Sequence, residues 1–168
     1  MGWWSTNILG GDSPLDWKAS LYNKLDIPYF NEEQGIKTHD GYGLITPDDM
    51  NRITQNNLIQ YVLDSTQESF DKWGECDSRS IGMQVLALMI LKSGAKMTNK
   101  NKKELSKWIK LDEWAKEDYE RKDHIDALLK AIKEYDGTPM KYQAKGLFHT
   151  IAETISGTEI ESSGFKNI

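Results

Sequence analysis

Ser80-Ile81-Gly82-Met83-Gln84-Val85-Leu86-Ala87-Leu88-Met89-Ile90-Leu91 is the stretch on which the fold turns. Its apolar residues point in nearly every direction of a 3.6-residue repeat, so a helix built from it has almost no polar face. Such a helix is stable only when other elements cover it on all sides. It falls short of the ~20 apolar residues needed to span a bilayer, and Gln84 interrupts it. Ser78 or Ser80 can open the helix, Lys92 lies in its last turn, and Gly94 stands where a helix stops.

The surrounding sequence supplies further helices. Ser13-Pro14-Leu15-Asp16 reads as a start, with Ser13 as cap, Pro14 at the first helical position and Asp16 as the reciprocal carboxylate. That helix runs to about Lys24, with Trp17, Leu21 and Leu25 along one side. Asn31 to Gly43 is polar and glycine-bearing, a loop. Thr46-Pro47-Asp48-Asp49 repeats the start signal and opens an amphipathic helix through roughly Gln67. Leu105, Trp108 and Ile109 mark a short helix after a lysine-rich connection. A longer one begins at Asp112-Glu113-Trp114 and stops at Gly137, with Glu117–Arg121 and Asp126–Lys130 four apart on its surface. Tyr142, Leu147, Phe148, Ile151 and Ile155 suggest a last helix ending at Gly157. No sustained alternating strand pattern appears. The expected fold is all-α: one compact, mostly helical domain over residues 1–157 with about five or six helices, and a C-terminal tail over 158–168 that frays.

The opening eighteen residues hold three of the six tryptophans. Tryptophan is costly to leave in water, so Gly2, Trp3, Trp4, Asp12, Asp16 and Trp17 are read as a structural motif whose N-terminal segment packs into the core. The segment lacks a basic leader and carries Asp12 and Asp16 where a signal peptide would be apolar. One cysteine, Cys76, excludes an internal disulfide and suits a reducing compartment, so a cytoplasmic location is expected.

Net charge is −5, unevenly distributed. Residues 1–91 carry six basic and thirteen acidic side chains, whereas 92–110 carry seven lysines against Glu104 alone. Lys92, Lys96, Lys100, Lys102, Lys103, Lys107 and Lys110 can contact phosphates, with Trp108 near enough to stack on a base, or dock an acidic protein. A solvated helix face, partly offset by the acidic stretch from Asp112 to Asp126, is the simpler account, since Trp108 falls on the apolar stripe with Leu105 and Ile109. Gly10-Gly11 before a helix hints at phosphate binding, but no strand precedes it and two aspartates would repel an anion. Asp12 and Asp16 with the His39-Asp40 loop form the best enzyme alternative, a metal-assisted hydrolase; helix capping explains Asp16 without chemistry. His39, His124 and His149 show no zinc spacing, and Cys76 between Glu75 and Asp77 is poorly placed to become a thiolate. No catalytic residue, metal site or cofactor is therefore expected.

Met1-Gly2, Trp4, Asp12 and Leu15-Asp16-Trp17 resemble the opening of the bacterial domain-of-unknown-function 4259 family, with Trp3 and Ser5 departing from its pattern. The chain is also similar, through its Met-Gly-Trp-Trp-Ser-Thr start and Asp112-Glu113-Trp114-Ala115, to uncharacterised tailed-bacteriophage proteins. Neither resemblance implies an activity. Both imply a compact domain with a tucked N-terminus. The expectation is a non-enzymatic protein-binding domain: a phage-encoded inhibitor of a host enzyme or defence system, or an immunity-type protein. Its partner would be a host or toxin protein rather than nucleic acid or a membrane, met quickly by an acidic face if that partner is basic and held by a few buried aromatics. Candidate binding residues are Lys100, Lys102, Lys103, Lys107, Trp73 and Trp114. An aromatic surplus is equally compatible with a homodimer.

Overall fold

The computed structural model describes residues 5–27, 45–69, 78–143 and 164–167. Among these the chain forms α1 (Asp12–Lys24), α2 (Pro47–Arg52), α3 (Gln55–Ser69), α4 (Ser78–Ser93), α5 (Asn99–Ile109), α6 (Trp114–Glu117) and α7 (Tyr119–Glu134). Two short strands follow, β1 (Met140–Gln143) and β2 (Gly164–Asn167). The protein is mostly helical.

Helix α4 is the centre, as its composition requires. Every residue from Ser80 to Leu91 is buried, and α1, α2, α3, α5, α7 and β1 all pack on it. Its polar side chains are satisfied internally. Ser93 donates to the Ile90 carbonyl at 2.8 Å, and Ser78 accepts the Trp17 indole N–H at 3.0 Å. Gly94 then ends the helix with φ +77°, a left-handed conformation that costs other residues strain.

Trp17, Leu21 and Leu25 form the core face of α1, all buried. The start of α1 differs from expectation. The helix begins at Asp12 with Gly11 as N-cap and no side-chain cap, so Ser13 and Asp16 do not form a capping box. Gly11 already holds the extended conformation a cap position needs, which leaves Ser13 inside the first turn. The Thr46–Asp49 capping box is formed as read. Its helix, however, is only one and a half turns: Ile53 is extended, and Thr54 caps a separate α3 by accepting from the Asn57 amide at 3.3 Å.

The C-terminal region departs most. Residues 140–143 and 164–167 pair as an antiparallel ribbon with Tyr142 opposite Phe165, ring centroids 5.0 Å apart. Met140 to Gln143 is therefore strand, not the first turn of a final helix, and part of the expected tail is β2. Four residues are too few to show an alternating pattern, and the pairing is made with a segment far along the chain. Leu147, Phe148, Ile151 and Ile155 lie outside the described residues, as does the Asn31–Gly43 loop.

Residues 5–10 form a strap held against this core. Ile8 is buried and its amide donates to the Tyr142 hydroxyl at 3.0 Å, while Ser5 N–H bonds the Gly10 carbonyl at 3.2 Å. Burial pushes the Tyr142 hydroxyl up to about 12, so it stays protonated. Trp3 and Trp4 lie outside the described residues.

Gly82 lets three helices approach closely. A Cβ there would stand 2.6 Å from Val62 Cγ1 on α3 and 3.0 Å from the Trp17 ring on α1. Alanine would gain about 1 kcal/mol of helix propensity, but overpacking a core costs about 1–3 kcal/mol. Neither neighbour is a flexible chain end, so the steric term wins. Gly82→Ala should lower stability in urea unfolding; a rise in the midpoint would show that the helices are not in contact here.

Candidate functional site

Two charged arrangements stand out, one inside the molecule and one on its surface. The inner one joins α4, the α5–α6 connection, α7 and the N-terminal strap. Arg121 in the first turn of α7 is 1% exposed, Asp112 before α6 is 3% exposed, and Gln84 in the middle of α4 is fully buried. Arg121 Nη2 donates to Asp112 Oδ2 at 2.7 Å and to Gln84 Oε1 at 2.8 Å. Its Nε reaches the same carboxylate oxygen at 3.2 Å. The Gln84 amide closes the triangle by donating to Asp112 Oδ2 at 2.8 Å. The remaining nitrogen, Nη1, donates to the carbonyls of Asn7 at 2.9 Å and Thr6 at 3.3 Å. Asp112 Oδ1 accepts the Ala115 amide in the first turn of α6 at 2.9 Å, and the guanidinium lies 5.1 Å from the Trp114 ring centroid.

Every donor of the guanidinium and both oxygens of the carboxylate are occupied from within. A catalytic carboxylate needs a free lone pair facing substrate, and this one has its bonds to protein. The arrangement fastens the strap to the helical core. Arg121 is thus not the surface partner of Glu117. Glu117 belongs to α6 and Arg121 to α7, with a break at Asp118, whose side chain caps α7 by accepting the Arg121 amide at 2.9 Å. On α7 the ion pair is Lys122–Asp126.

The surface arrangement is on α5. Thr98 caps this helix, accepting the Asn101 amide at 3.1 Å, so most of the segment expected as a connection is helical. Leu105 and Ile109 are buried on one side. Lys100, Lys103, Lys107 and Lys110 recur at intervals of three and four and are all exposed, which aligns them as one row. None of the four forms an ion pair among the described residues. Glu104, the one acid of the segment, accepts the Trp108 indole N–H at 3.0 Å. Lys102 is separate from the row: its ammonium donates to the carbonyls of Lys133 and Tyr135 and ties α5 to the end of α7.

Cations lie against the aromatic residues near the row. Arg79 lies 4.7 Å and Lys107 5.2 Å from the Trp108 ring centroid, and half-buried Trp114 packs on the buried Arg121 guanidinium. Leu111, at 40% exposure, and Tyr119, at 71%, are the apolar side chains that reach solvent just beyond the row. Asp12 is half-buried and Asp16 exposed at the start of α1. Among the described residues no three His, Cys, Asp or Glu side chains gather to hold a metal ion, nor is any helix long and apolar enough to cross a membrane. Trp73, His39, Asp40 and Gly2 lie outside the described residues. A polar cleft of about 210 Å³ opens between Glu134, Tyr135, Asp136, Thr138 and Met140.

No family model, curated protein or solved structure matches the chain.

Removing one partner of a buried ion pair strands the other charge, at about 3–5 kcal/mol. Arg121→Met should therefore destabilise strongly and expose the amides of residues 5–10 to hydrogen exchange, and adding Asp112→Leu should restore part of the loss. Equal destabilisation by single and double variants would refute the network. Beside it, burial of the His124 ring, followed by the Arg121 charge, lowers its pKa below 6.5. The unfolded chain then binds more protons, so stability falls as pH drops through about 6.5 towards the lower folded value. His124→Gln should flatten that segment of the stability–pH profile; an unchanged slope would remove His124 as its source.

Proposed function

We propose that this chain is a non-enzymatic binding domain that acts by occupying a partner's surface with the lysine row of α5. The observation that carries this reading is the row itself: Lys100, Lys103, Lys107 and Lys110 on one exposed face without ion pairs among the described residues. Surface lysines in a chain of net charge −5 ordinarily find carboxylates at three or four residues' spacing, as Lys116 does with Glu113. Glu104 stands four residues from Lys100 and three from Lys107, and Glu113 three from Lys110, yet none of these lysines is paired among the described residues. The row therefore keeps its charge available for another molecule, where complementary potential speeds encounter and sets orientation. The resemblance of the opening residues to proteins of tailed bacteriophages and of the domain-of-unknown-function 4259 family suits an inhibitor of a host enzyme or defence system, or an immunity-type protein.

The combined variant Lys100→Glu, Lys103→Glu, Lys107→Glu tests the reading. Exposed substitutions of this kind change stability by about 0.5 kcal/mol or less each, so circular dichroism and melting should be nearly unchanged. A partner retained stoichiometrically from cell lysate by the unaltered chain should be lost with the variant. Equal retention by both would assign binding to another surface.

A further inference from the structure

We infer, resting on that reading of α5, that the row receives a short acidic segment of a partner protein carrying an apolar residue beyond its acids. Three observations choose this occupant. From Lys100 to Lys110 the row covers ten residues of helix and its cap, about 15 Å at ~1.5 Å per residue. Immediately afterwards the chain turns acidic, with exposed Glu113, Glu117 and Glu120. A nucleic-acid duplex, with a negative charge about every 1.7 Å of its axis, outruns so short a row, and the chain that follows offers it acids in place of lysines. A protein segment of two or three turns ends where the lysines end.

Single-stranded nucleic acid gains much of its affinity by stacking bases on open aromatic faces. Trp108, the ring within the row, already holds Arg79 and Lys107 of the protein itself beside it, and Trp114 is half-buried. Lastly, Leu111 follows Lys110 directly and Tyr119 lies shortly beyond, both reaching solvent. An apolar contact beside a band of carboxylates is available from a protein side chain and not from a phosphate backbone. Interfaces draw their affinity from such anchors, and charges around them contribute mainly rate and specificity.

The test titrates the full-length 15N-labelled protein with three probes. They are a peptide of about 12 residues matching the row, glutamate-rich with a terminal Leu-Trp; the same peptide ending in Ser-Ser; and a DNA duplex of about 20 base pairs. The Leu-Trp peptide should shift α5 amides and those of residues 111–119, bind more tightly than the Ser-Ser peptide, and outcompete the duplex. The Lys100→Glu, Lys103→Glu, Lys107→Glu variant should bind it at least roughly tenfold more weakly, since three exposed pairs become repulsions. If the duplex binds more tightly, with affinity falling steeply with salt, the partner class is wrong while α5 remains the docking face. If neither polyanion shifts α5, both the occupant and the docking face are wrong. Equal binding of the two peptides would remove the apolar contact and with it the protein-specific occupant.

Discussion

Moving a guanidinium into a protein interior costs several kcal/mol unless its charge is paired and all its N–H groups find acceptors. Arg121 meets that condition only because four separate parts of the chain converge on it: Gln84 from α4, Asp112 from the α5–α6 connection, the strap carbonyls of Thr6 and Asn7, and the Trp114 ring. The rest of the architecture is compatible with that demand. Helix α4 must present its single buried glutamine towards α7, and the chain between α5 and α7 must turn sharply at Asp112 and Asp118. The N-terminal strap must run where its carbonyls face inward. A network of this kind adds little net stability over an apolar replacement but penalises every arrangement in which one member is misplaced.

The consequence reaches the surface. Asp112 is buried, holding Arg121 and the Ala115 amide, and half-buried Asp118 caps α7, so neither carboxylate pairs with the end of α5. Lys102 is likewise consumed, closing the C-terminal carbonyls of α7. What remains outside is a lysine row, followed in sequence by exposed Leu111 and Tyr119. Of the acids that follow it, Asp112 is spent internally while Glu113, Glu117 and Glu120 stay exposed, so a basic row and an acidic stretch succeed each other along the chain.

Much of this was legible before any coordinates. The uniformly apolar run through Val85 to Leu91 announced a central helix, since nothing else satisfies the backbone of so apolar a segment while hiding it from water. The Thr46–Asp49 capping box, the Gly94 stop and the Trp17–Leu21–Leu25 face are local signals, and local signals survive folding. Boundaries were less secure. Gly11 displaced Ser13 as a cap, and the single helix read over Thr46 to Gln67 divides at Ile53. Both outcomes depend on how the chain enters the helix from outside.

Sequence alone determined the helical class, the buried centre and the concentration of lysine between residues 92 and 110, because period, composition and capping are written in neighbouring residues. It also contained two anomalies, a glutamine inside the apolar α4 and an arginine in register with Ile125, Leu128 and Ile132 on the core stripe of α7. Their meeting could not be read, since burial of a polar group is settled by what stands across the interface. Tertiary structure decided that Arg121 turns inward to Asp112 instead of outward to Glu117. It decided too that Lys102 leaves the row, and that residues 140–143 become strand by pairing with 164–167. In each case the energy lies in contacts between segments distant along the chain, and one-dimensional spacing holds no record of which distant group will arrive.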